Sequence, residues 1–224
     1  MGQILTKDKI VIPGQVIAEG MDYLPSNGTV REGEKIISVT TGLLKVDGRL
    51  VNVLSLKGPY MPKIGDSVIG QVVDITLGGW QIEIGTAYPA GLSLKDASQE
   101  YIERGVDLTR YFNFREIVFA KITNIVRTKI IDLTMRGPGL RKLEAGRIVK
   151  VTPSKVPRII GKQGSMIGVI KEKTKCNILV GQNGIAWIKG ETQADEIKAE
   201  QAILKIEKES HIEGLTEKIE KFLG

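Results

Sequence analysis

Ile160-Gly161-Lys162-Gln163-Gly164-Ser165-Met166-Ile167 is the wording of a short helix, a Gly-x-x-Gly turn and a second helix. Apolar pairs flank the turn, Ile159 with Ile160 before it and Met166 with Ile167 after it. Without Cβ atoms, Gly161 and Gly164 let another chain's backbone come close to their own main chain. N–H groups left free at the start of the second helix favour an anion, and Lys162 adds a mobile positive charge.

The flanking sequence gives the turn a setting. Arg147 to Val151 alternates as a strand does. Lys155 to Ile160 reads as a short helix with Pro157 near its start, where a missing N–H is harmless. Ser165 to Lys175 places Met166, Ile167, Ile170 and Thr174 on one helical face. Asn177 to Val180 and Ile185 to Lys189 read as strands joined by Gly181-Gln182-Asn183-Gly184, in which Asn-Gly is a hairpin signal. A helix starts at Thr192 with Asp195 as capping-box partner, and Ala199, Ala202, Ile203 and Ile206 keep helical spacing. The order β-α-α-β-β-α is that of a type I KH domain, whose Gly-x-x-Gly loop clamps about four nucleotides of single-stranded nucleic acid. A small α+β domain with a merely tight interhelical turn fits the same pattern.

The chain has 224 residues, 42% hydrophobic and only 5% aromatic. That allows two or three small domains with aliphatic cores and few stacking platforms. No apolar run has bilayer-spanning length, and Met1 to Lys9 lacks the apolar region of a signal peptide. The lone cysteine, Cys176, excludes an intramolecular disulfide and fits the cytoplasm; it reads as a small core residue. His211, the only histidine, lies in an acidic tail and reads as solvated. No His/Cys cluster has metal spacing, so neither catalytic residues nor a metal or cofactor is expected.

Net charge is +6, but its distribution is more informative. Arg141 to Lys175 carries ten Lys/Arg against two Glu, a balance of 10 − 2 = +8, whereas Glu191 to Gly224 carries five Lys against nine Asp/Glu, or −4. Positive charge gathered around the Gly-x-x-Gly segment favours a polyanion through counterion release. A solvated Lys-rich face is the plainer alternative.

Upstream, three boundaries are visible. Residues 1–58 read as a small all-β domain, with extended stretches Lys35 to Thr40, Leu43 to Val46 and Arg49 to Leu54 and a hairpin turn at Asp47-Gly48. Residues 59–137 carry five short strands with a long excursion, Lys95 to Phe114, between the third and the fourth. This is OB-barrel architecture, though other small barrels share the spacing. Gly137-Pro138-Gly139 opens a linker, 138–145, and the KH-like domain occupies 146–224. The expected fold is multi-domain, mainly β plus α+β.

The second block resembles the S1 domain, an OB-fold RNA binder, through Gly65-Asp66-Ser67-Val68 with Gly70-Gln71-Val72, Arg115-Glu116-Ile117-Val118 and Ile131-Asp132-Leu133-Thr134-Met135. With Ile10-Val11-Ile12-Pro13-Gly14, Pro153-Ser154-Lys155-Val156-Pro157-Arg158 and the Gly-x-Asn-Gly turn, nearly the whole chain resembles the archaeal exosome RNA-binding cap subunits of the S1/KH type. That resemblance implies a non-catalytic role in 3′-to-5′ RNA degradation. Its implied partners are single-stranded, A-rich RNA, a hexameric ring of phosphorolytic RNase PH-type subunits, and further cap subunits in a homotrimer or mixed trimer. The N-terminal domain would dock the ring. Candidate RNA contacts are Lys155, Arg158, Gly161, Lys162, Gln163, Gly164 and Ser165 in the KH loop, and, more weakly, Arg110, Tyr111, Arg127 and Lys129 on the barrel. Gln81 stands where S1 domains commonly expose an aromatic, and Leu94 falls near their histidine position, so the stacking face is weakened. Trp80 reads as core rather than platform. The alternative function is an S1/KH transcription or translation factor outside the exosome.

Overall fold

The computed structural model describes residues 3–4, 10–56, 58–103, 105–126, 130–210 and 214–224. These fall into two compact units, Met1–Gly58 and Pro59–Gly224.

The first unit is all β. Its strands are β1 (Gln3–Ile4), β2 (Ile10–Val11), β3 (Val16–Glu19), β4 (Leu24–Pro25), β5 (Thr29–Glu32), β6 (Lys35–Ser38), β7 (Gly42–Asp47) and β8 (Leu50–Ser55). They form two four-stranded sheets, ordered β1-β3-β6-β5 and β2-β7-β8-β4. Val11, Ile17, Ala18, Ile36, Val51 and Val53 make the core. Alternation places Val51 and Val53 inward and Leu50 and Leu54 outward on the same strand. The β7–β8 hairpin turns at Gly48-Arg49, since Asp47 already pairs with Leu50.

The second unit begins with a five-stranded barrel. β9 (Ser67–Thr76), β10 (Gly79–Glu83) and β11 (Ala90–Ser93) form an antiparallel meander. β12 (Ile117–Ile125) pairs with β9, and β13 (Ile131–Thr134) pairs with β12 and, in parallel, with β11, which closes the barrel. At ten residues, β9 is long enough to serve β12 at its start and β10 at its end. Leu94 does not extend β11 but begins the short helix α1 (Leu94–Ala97), because Ser93 caps it by accepting a hydrogen bond from the Asp96 N–H at 3.2 Å. Trp80 is 1% exposed. Its indole N–H donates to the Phe112 carbonyl at 2.9 Å and its ring meets Phe112 and Tyr111 edge-on. The excursion is thus pinned to the barrel by its aromatic residues.

Residues 138–145, read from sequence as a linker, contain the strand β14 (Arg141–Leu143), which adds to β12 outside the closed barrel. Leu143, beyond the Gly-Pro-Gly stretch, is 4% exposed and packs with Ile69 and Trp187.

The KH domain follows: β15 (Arg147–Lys150), α2 (Val156–Ile160), α3 (Ser165–Thr174), β16 (Asn177–Val180), β17 (Ile185–Lys189), α4 (Gln193–Lys208) and a further helix α5 (Leu215–Leu223). Its antiparallel sheet has the order β15-β17-β16. Val156 and Ile159 of α2, Met166 and Ile170 of α3 and Ala199, Ala202, Ile203 and Ile206 of α4 meet in one core. Thr192 caps α4 by accepting from the Asp195 N–H at 3.2 Å, and its hydroxyl donates back to the Asp195 carboxylate at 2.7 Å. Cys176 is part of this core, and burial pushes its thiol pKa up, away from reactivity.

Barrel and KH domain share a unit because the Gly181–Gly184 turn is locked into the barrel. Asn183 is 7% exposed. Its Oδ1 accepts from the Ile69 N–H at 3.2 Å, and its Nδ2 donates to the carbonyls of Ile69 (2.7 Å) and Ile84 (2.9 Å). The Gln182 N–H donates to the Ser67 carbonyl at 2.8 Å. A Cβ on Gly181 would lie 2.3 Å from Asn183 Oδ1 and 2.8 Å from Ile69 N, so glycine is needed there. Beside this lock, Trp187 packs with Ile69 and Leu143 and donates its indole N–H to the Glu144 carbonyl at 3.1 Å.

Candidate nucleic-acid interface

The Gly-x-x-Gly loop has an unusual backbone for sequence reasons. Gly161 (φ +77°), Gln163 (φ +53°) and Gly164 (φ +81°) all have positive φ, which turns the chain between α2 and α3 within four residues. The Gly161 N–H closes α2 on the Pro157 carbonyl at 2.9 Å, and the Gly164 N–H donates to the Gly161 carbonyl at 3.2 Å. A Cβ on Gly161 would lie 2.6 Å from Met166 N and 2.7 Å from Met166 Cβ, so the start of α3 can sit against the loop only because this residue is glycine. Gly164 meets only Ile167 Cγ2, at 3.9 Å; its side stands open. The result is a convex turn carrying exposed Lys162, Gln163 and Ser165 at the N-terminus of α3, where the Ser165 N–H donates to the Lys162 carbonyl and the helix dipole favours an anion.

The charges around the loop divide. Lys155, grouped by sequence with the loop, is committed elsewhere: its Nζ donates to the Glu207 carbonyl at 2.7 Å, near the C-terminus of α4, where a helix favours a cation. The Glu207 carboxylate takes the Thr152 N–H and hydroxyl, which fixes this corner. Arg147 pairs with Glu200 at 2.8 Å and Lys142 with Glu116 at 2.6 Å. With Arg141, whose guanidinium lies 6.0 Å over the Trp187 ring, four of the ten cations in the basic stretch therefore have partners within the fold. Arg158 and Lys162 are exposed, and no salt bridge engages either among the described residues.

Of the barrel's four candidates, Arg110 and Tyr111 lie among the described residues. Arg110 is exposed near the Asp107 carboxylate at 3.9 Å, and Asp107 is held below the usual carboxylate range chiefly by its hydrogen bonds from Thr109. Tyr111 is half-buried against Trp80. Arg127 and Lys129 lie outside the described residues, as does His211. Trp80, being core, is no platform. Gln81 opens into a groove with Thr123, Asp96 and Asp132, which offers hydrogen-bonding groups and carboxylates, while the one aromatic residue in its lining, Trp80, is buried. Among the described residues, no group of three or more His, Cys, Asp or Glu is placed to hold a metal ion, and no helix is long and apolar enough to cross a membrane.

A three-stranded sheet with a Gly-x-x-Gly turn between short helices, locked to a five-stranded closed barrel, defines a KH and OB-barrel protein. The KH domain family matches residues 146–194. The exosome complex component Rrp4 of Pyrococcus abyssi is 44% identical over 96% of this chain and 82% of its own length. That of Methanothermus fervidus is 40% identical over 96% and 94%. A crystal structure of a protein assigned as an exosome complex RNA-binding protein superposes with a TM-score of 0.67 at 34% identity, covering 74% of this chain and 95% of that one. The chain belongs to the Rrp4 family of exosome complex components.

Proposed function

We propose that the chain is a non-catalytic, RNA-binding cap component of an archaeal exosome in the cytoplasm. It binds single-stranded RNA and passes the 3′ end to a hexameric ring of RNase PH-type phosphorolytic subunits, as part of a homotrimeric or mixed cap. The observation that carries this reading is the exposed Gly-x-x-Gly turn. Arg158, Lys162, Gln163 and Ser165 surround a backbone that a sugar-phosphate chain can approach, at the N-terminus of a helix whose dipole favours phosphate. The A-rich preference rests on the family resemblance and on no base contact.

The test is kinetic. Incubated alone with labelled RNA, phosphate and magnesium, the purified chain is expected to leave the RNA intact. Added to the ring, it should raise degradation several-fold for long RNA with an unpaired A-rich 3′ end, through local concentration and the avidity of several copies. The gain should fade as salt rises. Equal stimulation of very short and long RNA would overturn tethering.

Ring docking falls to the N-terminal unit in this proposal. Ile10, Leu43 and Leu54 are directly paired across β2, β7 and β8 and are 57%, 40% and 50% exposed. An apolar cross-strand row left in water suits an interface. Replacing Leu43 and Leu54 with Glu should weaken association with the ring by about tenfold or more, since a charge would have to be desolvated, while RNA binding stays unchanged. Undiminished co-elution with the ring would place the docking surface elsewhere.

A further inference from the structure

The barrel carries a recess that the sequence did not suggest. The turn Leu77-Gly78 between β9 and β10, helix α1 and residues 100–102 line a cavity of about 580 Å³, a size suited to a small-molecule-sized group. Ile102 at 4% exposed and half-buried Leu94 contribute its apolar part. Leu77 and Tyr101 line the same recess, yet are 95% and 84% exposed. Two large apolar side chains held in water beside an apolar hollow leave contact area for something planar to cover. Lys95 and Arg136 also line it. The Arg136 Nε donates to the Ser98 carbonyl at 2.7 Å, which fixes the guanidinium and leaves its terminal nitrogens as donors. Glu100 is the one carboxylate in the lining, so the balance is positive.

An exposed ring, an apolar hollow and two cations are what a nucleotide of single-stranded RNA needs: a π-face for the base and positive charge for the adjoining phosphates. The neighbouring groove over β10 and β11 has the opposite character. It shares Gly78 and Ser93 with the recess but presents Asp96 and Asp132, which repel phosphate. We propose that Tyr101 supplies the base-stacking platform that Gln81 does not, with Lys95 and Arg136 holding the flanking phosphates. Stacking on tyrosine tolerates any base, so this subsite adds affinity without sequence preference. The inference rests on the RNA-binding reading above.

The full chain is titrated with short single-stranded RNA, and RNA carrying iodouridine is photo-crosslinked to it. The crosslink is expected at Tyr101. Tyr101→Ala should weaken binding on the order of tenfold, and Tyr101→Phe, which keeps the ring, should restore it. Thermal stability should not change, because the side chain is exposed. Three results would overturn the proposal. Wild-type affinity in Tyr101→Ala, with binding still lost on reversing charge in the Gly-x-x-Gly loop, would remove the subsite but leave the RNA reading standing. Unchanged RNA affinity with lost ring association would make the recess a protein-docking site. Wild-type binding in both variants would remove the RNA reading along with the subsite.

Discussion

Asn183→Ala is expected to lower the stability of the barrel and KH unit by about 3–5 kcal/mol. The side chain is nearly buried and makes three hydrogen bonds, all to main-chain groups of the barrel: Ile69 N–H, Ile69 C=O and Ile84 C=O. Alanine leaves those groups without partners, and each unsatisfied buried polar group costs about 1–3 kcal/mol. Water entering the gap would recover part of that. Asn183→Asp is the sharper variant. It keeps an acceptor for the Ile69 N–H but points a carboxylate at two carbonyl oxygens. The charged form is disfavoured, so the pKa of the introduced acid is raised in the folded state. Its protonated form also restores one donor. The variant should therefore gain stability as pH falls below that raised pKa and lose it as pH rises through it. Denaturant unfolding followed by tryptophan fluorescence would report both effects, because Trp187 sits in the same junction and Trp80 in the barrel core. A loss below about 1 kcal/mol for Asn183→Ala would mean that the Gln182 to Ser67 backbone bond and the apolar junction hold the domains without it.

The same residue marks where sequence reading stopped. Gly181-Gln182-Asn183-Gly184 was legible as a hairpin turn because turn chemistry is local, and the turn does join β16 to β17. Its engagement with Ile69, 114 positions away, was not, since no periodicity encodes a contact between domains. The hydrogen bond that Lys155 makes was hidden for a similar reason. In sequence Lys155 stands beside Arg158 and the loop, and only the folded path of α4 brings the Glu207 carbonyl to it. The helices around the Gly-x-x-Gly turn and the five barrel strands were legible because apolar spacing of three to four, or of two, reports a buried face directly. Leu143 was hidden because a strand of three residues after Gly-Pro-Gly has too short a pattern to read. Tyr101 was passed over because one aromatic side chain in an irregular excursion carries no periodicity. What distinguishes it is its exposure over a recess, which exists only after the excursion has folded onto the barrel.

Replacing Lys162 and Gln163 together with Asp is expected to reduce affinity for single-stranded RNA by about two orders of magnitude at low salt, with almost no change in melting temperature. The stability side follows from geometry. Both side chains are exposed, and the turn depends on Gly161 and Gly164 and on the Gly164 N–H to Gly161 carbonyl bond, none of which is touched. Gln163 has a φ of +53°, and Asp tolerates that left-handed region better than most residues. The binding side follows from charge. One cation is removed and two anions are placed where the α3 N-terminus would receive phosphate, so attraction becomes repulsion at the point of closest backbone approach. Losing one phosphate contact should flatten the dependence of log affinity on log salt by about 0.7 for a single strand. The difference between the two proteins should therefore shrink as salt rises. A Lys162→Ala, Gln163→Ala chain separates the two contributions, since it removes the attraction without adding repulsion and should fall between wild type and the double Asp variant. An unchanged affinity and salt slope in the double Asp chain would make this turn a structural joint between α2 and α3, and RNA contact would then have to come from the barrel alone.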